Sequence, residues 1–245
     1  MGLNHHDRRA RVRMAIAREA ARAMYREGVD QYFDAKRIAA KRVLGVNARG
    51  VRYRPQDLPS NGEIREALLE LVSFAEGTDR VRRLFAMRVL ALQTMRALAA
   101  YHPRLIGSVW TGHARRGSDI DLHVFTESRD RLELDLWERG WTFEPEEVLI
   151  REGTGFRAFH HIHVLDHEHP IELSVYEPHE RRIQTRSSTT GKPIQRASTD
   201  RLLELIRREH AEAWATWLET GDVGFEEPEL PPGDFDGLLE ELGVS

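Results

Sequence analysis

Leu105-Ile-Gly-Ser-Val-Trp-Thr-Gly-His-Ala-Arg-Arg-Gly-Ser-Asp-Ile-Asp-Leu122 decides how this chain is read. Arg104–Trp110 is a short apolar run that predicts a strand, and a glycine-rich connection follows it. From Asp119 to Phe125 the pattern alternates, with Ile120, Leu122 and Val124 on one face and Asp119, Asp121 and His123 on the other. Each part has a chemical use. Glycines let backbone N–H groups approach a ligand closely and build a concavity for phosphate. Carboxylates at i and i+2 of a strand point the same way, and two like charges so placed are costly without a cation between them. Hard oxygen ligands of this kind suit Mg²⁺, with Mn²⁺ as the alternative.

Further along, Pro170-Ile-Glu-Leu-Ser-Val-Tyr176 carries Glu172 on the face opposite Ile171, Leu173 and Val175. An acid on such a strand is expensive unless it pairs or binds metal. If the two strands are neighbours, Asp119, Asp121 and Glu172 converge. Glu172 then completes a metal shell or accepts the proton of an attacking hydroxyl. Phosphates beside a carboxylate-held divalent ion are the ingredients of nucleotidyl transfer.

The pattern of Gly107-Ser108, Gly112, Ser118-Asp119-Ile120-Asp121-Leu122 and a later acid between hydrophobics resembles the DNA polymerase β-type nucleotidyltransferase superfamily, particularly its small bacterial members. The resemblance covers about residues 84–176. It implies an α+β fold, a polymerase β-like mixed sheet with flanking helices. It also implies that Gly107, Ser108, Gly112 and Ser118 hold a nucleoside triphosphate while Asp119, Asp121 and Glu172 serve as catalytic and metal-binding carboxylates. One departure is visible: small members often carry Arg before the second glycine, where this chain has Thr111. Arg115 or Arg116 would then supply the charge.

The rest of the chain divides around this unit. Residues 7–45 read as one or two helices with a break at Gly28, and 47–59 as a loop. Ser60 or Asn61 caps a helix reaching Glu76, and Gly77-Thr78-Asp79 opens a long helix to about Ala100. Residues 129–140 predict a helix and 141–151 an extended segment. Phe159–Leu165 and Pro170–Tyr176 form a hairpin about Asp166–His169, and 199–219 a last helix. The expected organisation is a helical region at 1–77, a nucleotidyltransferase domain at 78–220 and an acidic, loosely held tail at 221–245.

The chain of 245 residues is 40% hydrophobic and 31% charged, which points to a soluble globular protein. It has no apolar run long enough for a bilayer and no secretory signal, so no membrane partner is expected. Absent cysteine excludes thiol chemistry and points to the cytoplasm. The formal net charge of −4 hides a polarity. Residues 1–60 hold fourteen Lys/Arg against six Asp/Glu, whereas 221–245 hold eight carboxylates and no basic residue. Arg8, Arg11, Arg18, Arg22 and Arg26 share one helical stripe opposite Val12, Ile16, Ala20 and Met24. That stripe reads either as a phosphate-gripping surface for an RNA or protein acceptor or as a solvated face.

His160, His161, His163, His167 and His169 lack regular metal-ligand spacing. His161 and His163 are expected to line the cleft and His167 and His169 to sit in an exposed turn. The basic segment 181–192 reads as a loop, and Trp110 as a platform for a base. Trp137, Trp141, Trp214 and Trp217 read as core or interface. The function expected is Mg²⁺-dependent transfer of a nucleoside monophosphate from an NTP to an unidentified acceptor. The alternative is a non-catalytic nucleotide- or RNA-binding module on the same fold.

Overall fold

The computed structural model describes residues 5–29, 31–45, 58–152, 155–186 and 193–226. Most of the expected loop at 47–59 and most of the acidic tail lie outside the described residues. Two helices open the chain, α1 (His5–Arg26) and α2 (Tyr32–Leu44), parted as expected around Gly28. A third, α3 (Asn61–Ala97), runs for 37 residues. Ser60 starts it with a capping box: its hydroxyl accepts from the Glu63 N–H at 3.2 Å, and the Glu63 carboxylate accepts from the Ser60 N–H at 2.7 Å. Gly77 interrupts it with φ +48° and ψ −126°, a backbone state that side chains other than hydrogen resist. The first arm of α3 packs with α1 and α2 around Ile16, Ala20, Ala39, Ile64 and Leu68. The second arm backs the sheet through Leu84, Met87, Ala91 and Met95.

The remaining order is β1 (Arg104–Leu105), α4 (Gly107–Thr111), β2 (Ile120–Phe125), α5 (Arg129–Glu138), β3 (Phe143–Glu152), β4 (Gly155–Val164), β5 (Ile171–Tyr176), α6 (Thr199–Glu209) and α7 (Ala211–Thr220). The five strands lie in the order β1-β2-β5-β4-β3. β2 and β5 are parallel and every other pair is antiparallel, so the sheet is mixed and the architecture α+β. β2 is central in the buried core: Ile120, Leu122 and Val124 are fully buried, each contributing about 1.5–3 kcal/mol. Among the described residues no helix is long and apolar enough to cross a membrane.

Three expectations need correcting. The strand expected at 104–110 lasts two residues, because β1 pairs with β2 only at Arg104↔His123 and Leu105↔Leu122 before the chain turns into α4. Tertiary position thus overrides the β propensity of Val109-Trp110-Thr111. The last helix is two helices, broken at His210 (φ −134°, ψ 41°), whose ring faces the buried Arg88 guanidinium at 2.9 Å. Finally, Trp137 is 71% exposed rather than core, whereas Trp141, Trp214 and Trp217 do pack on the sheet's core.

Candidate active site

The turn into α4 is built around one carboxylate. Ile106 N–H donates to the Asp121 carbonyl at 3.0 Å, which draws the start of α4 across β2. Gly107 then adopts φ +68°, and a Cβ there would stand 3.0 Å from Asp121 Cγ and nearer still to its Oδ2. Only a residue without a side chain fits against this carboxylate. The far end of α4 is held by two arginines of α3. Arg88 Nε donates to the Val109 carbonyl at 3.2 Å, and Arg80 donates to that of Gly112. Arg88 is 1% exposed and also pairs with Glu209 at 2.7 Å. The sequence reading missed both arginines. Arg88 did carry a signal, since it falls on the apolar face of α3 between Leu84 and Ala91.

The sheet brings two of the three expected carboxylates into register. Asp121 on β2 lies opposite Glu172 on β5, and Glu172 lies opposite His163 on β4. One row further, His123, Ser174 and His161 are aligned in the same way. The polar face therefore spans three strands. Asp119 sits just before β2, exposed, and close enough for its charge to act on Asp121. Burial, then Glu172, then Asp119 push the Asp121 carboxyl up to about 7. Glu172 moves the other way, held below the ordinary carboxylate range by a 2.6 Å hydrogen bond with His161 Nδ1, whose own pKa is raised by it. His123 is driven down to about 3 by burial and by Arg196, whose Nε donates to its Nδ1 at 3.1 Å.

Asp121 thus occupies a half-buried place with an excess of negative charge from Glu172 and Asp119. This chemistry fits a hard divalent cation. Among the described residues no three His, Asp or Glu side chains are set together as ligands, and Glu172 is engaged with His161. The histidines are dispersed in the same way. His163 meets Glu146 at 3.1 Å and His160 meets Glu147 at 3.3 Å, while His169 is buried rather than exposed in the turn.

Beside this face opens a cavity of about 1380 Å³, floored by Gly107, Ser108 and Ser118. Its walls come from four distant parts of the chain and carry Arg65, Arg115, Arg181, Arg182, Arg196 and Arg201, with no carboxylate, Asp119, Asp121 and Glu172 included, among the described lining residues. Compared with protein-family models, curated proteins and solved structures, the chain matches none. The site must therefore be judged on its own chemistry.

Of the two candidate arginines, Arg115 lines the cavity, with its guanidinium on the Met24 carbonyl at 2.6 Å and its N–H donating to Ser118 Oγ at 3.0 Å. Arg116 and Gly112 are not among the lining residues, and the Arg116 N–H donates to Glu76 at 3.3 Å. The described part of the basic segment, 181–186, runs along the cavity. It is closed on itself where Ile194 N–H donates to the Thr185 carbonyl at 2.9 Å. Arg196 gathers it, donating to the carbonyls of Glu180 (3.2 Å) and Ile183 (2.9 Å). Among the described arginines of the α1 stripe none lines the cavity: Arg11 and Arg18 are exposed, and Arg22 pairs with Glu19 at 3.3 Å. Trp110, read as a base platform, already has the Arg201 guanidinium over its ring at 5.4 Å.

Proposed function

We propose that the chain is a metal-dependent nucleotidyltransferase that moves a nucleoside monophosphate from an NTP to an acceptor hydroxyl and releases pyrophosphate. The observation that carries this reading is the register pairing of Asp121 with Glu172, with Gly107 seated on the Asp121 carboxylate at the edge of an arginine-lined cavity. The expected polymerase β-like fold belongs to the same proposal, supported by the mixed sheet and the place of Gly107-Ser108 beside β2.

In this reading Gly107, Ser108, Ser118 and Arg115 receive the triphosphate, as backbone N–H groups, hydroxyls and a guanidinium suit phosphate oxygens. Asp119 and Asp121 would hold Mg²⁺ or Mn²⁺, with Glu172 as the third carboxylate. When bound, the ion supplies charge neutralisation of the phosphates and lets Asp121 ionise. The acceptor oxygen attacks the α-phosphorus, and the bond to the β-phosphate oxygen breaks. The hydroxyl proton passes to a carboxylate, for which Glu172 is placed, with His161 bonded behind it. Pyrophosphate leaves along the arginines.

The test uses each of four labelled NTPs with Mg²⁺. The protein is expected to release pyrophosphate, and Asp121→Asn to lower turnover at least 100-fold, about 2.7 kcal/mol in barrier. Unchanged turnover in that variant would sink the site assignment. Nucleotide binding with no turnover in the unaltered chain would leave the non-catalytic binding module.

A further inference from the structure

Six arginines line one cavity, Arg65 half-buried and Arg181, Arg182 and Arg201 exposed, and no carboxylate is among its described lining residues. Arg13, Arg42, Arg83 and Arg88 each meet a carboxylate: Glu63 at 2.6 Å, Glu27 at 2.5 Å, Glu76, and Glu209 at 2.7 Å. In the cavity, Arg65, Arg181, Arg182 and Arg201 meet none among the described residues. Arg65 faces the His113 ring instead, at 2.7 Å, and that imidazole's pKa is lowered by burial and by the charges of Arg65 and Arg80. Unpaired like charges around one hollow repel one another, and an anionic ligand removes that cost.

One triphosphate does not use them all. Its metal ion cancels part of its charge, and Gly107, Ser108 and Arg115 already receive it in this reading. Arg65 comes from α3, in the helical bundle, and Arg181 and Arg182 from the 3₁₀ turn Pro178–Arg182. These walls supply cation to something other than the reacting phosphate. Along these walls an acceptor bearing ammonium groups, such as an amino sugar, would meet guanidiniums, with no carboxylate among the described lining residues. The volume, about 1380 Å³, exceeds the roughly 300–1,000 Å³ typical of a single small-ligand site.

Resting on the transferase reading, we infer that the acceptor hydroxyl belongs to a phosphate-ester-bearing molecule, held by Arg65, Arg181 and Arg182 while the NTP lies against Gly107 and Ser108. Two sources share this chemistry: a small sugar phosphate and the 3′ end of a single-stranded nucleic acid.

The test is binding and transfer with the full chain. Ribose 5-phosphate, a single-stranded RNA of about ten nucleotides and an amino-sugar antibiotic are each titrated into protein saturated with a non-hydrolysable NTP. Each is then offered as acceptor of labelled NMP. A phosphate-bearing probe is expected to bind the loaded protein and take the label. Its affinity should fall with rising salt. Arg181→Gln with Arg182→Gln should weaken that probe at least tenfold, and weaken the nucleotide less. Labelling of ribose 5-phosphate alone assigns a small substrate, and labelling of the RNA alone a strand end. Transfer to the amino sugar instead, or one-for-one displacement of the phosphate probe by the nucleotide, overturns the inference and leaves the transferase intact. A wild-type chain that binds no NTP removes the transferase and this inference with it.

Discussion

The molecule has two cores built from different materials. In the helical bundle seven of twelve core residues are alanine, among them Ala17, Ala20, Ala35 and Ala39. In the core under the sheet only three of the twenty-five described are, and Leu, Ile, Val and Met fill the rest with Phe85, Tyr101 and Trp214. Small side chains let helices approach closely but bury little apolar area, so the bundle gains less from desolvation. Its ion pairs, such as Arg13–Glu63 at 2.6 Å and Arg42–Glu27 at 2.5 Å, are solvent-exposed and add little to this. It is also tied to the sheet half by Arg115 on the Met24 carbonyl and Arg65 on His113. The rigid core carries the carboxylates, while the lighter one supplies a wall of the cavity. Chemistry that needs fixed geometry thus sits on the heavier scaffold.

This contrast can be broken by measurement. All five tryptophans lie beyond residue 100, so their fluorescence reports on the sheet half while helical circular dichroism reports on both. Leu122→Ala, at the fully buried centre of β2, should cost about 2–5 kcal/mol and move the fluorescence midpoint in denaturant strongly. Ala39→Leu overfills the bundle, where Ala39 is fully buried. It should cost about 1–3 kcal/mol and move the helical signal ahead of the fluorescence. Coincident shifts in both probes would show that the two cores melt as one unit.

The smallest effect concerns acid. Glu63 is held down to about 2 from 4.5, first by its hydrogen bond from Arg13 and then, against the opposing effect of burial, by its bonds to Ser60. A depressed carboxylate stabilises the fold above its unfolded value and loses that contribution as pH falls through the folded one. The bundle should therefore weaken between about pH 4.5 and 2, and Glu63→Gln should flatten the decline seen by helical circular dichroism.

How much of this was legible follows from the range of the interactions. The β2 alternation, the Ser60 cap, the hairpin at 159–176 and the break at Gly77 are local, and the chain declares them. Glu172 was legible because an acid between Ile171 and Leu173 needs a partner, and the sheet provides Asp121 in register and His161 by hydrogen bond. The shortness of β1 was not legible, since the end of its pairing depends on where α4 must cross Asp121. Nor was the cavity, whose arginines are separated by as many as 136 positions, from Arg65 to Arg201. Charge counting pointed to the α1 stripe, whose Arg11 and Arg18 are exposed and not among the cavity's described lining residues.

Gly77 has a mechanical consequence. α3 belongs to both cores, and Gly77 is the non-helical residue between the arm that carries Arg65 and the arm that backs the sheet. Arg65 lies twelve positions from it, a lever of about 18 Å at 1.5 Å per residue. A rotation of about 10° there carries the guanidinium's anchor by about 3 Å, close to the length of one hydrogen bond. Such a rotation has to break the contacts of Arg65 with His113 and of Arg115 with the Met24 carbonyl, so those two arginines hold the joint at its angle.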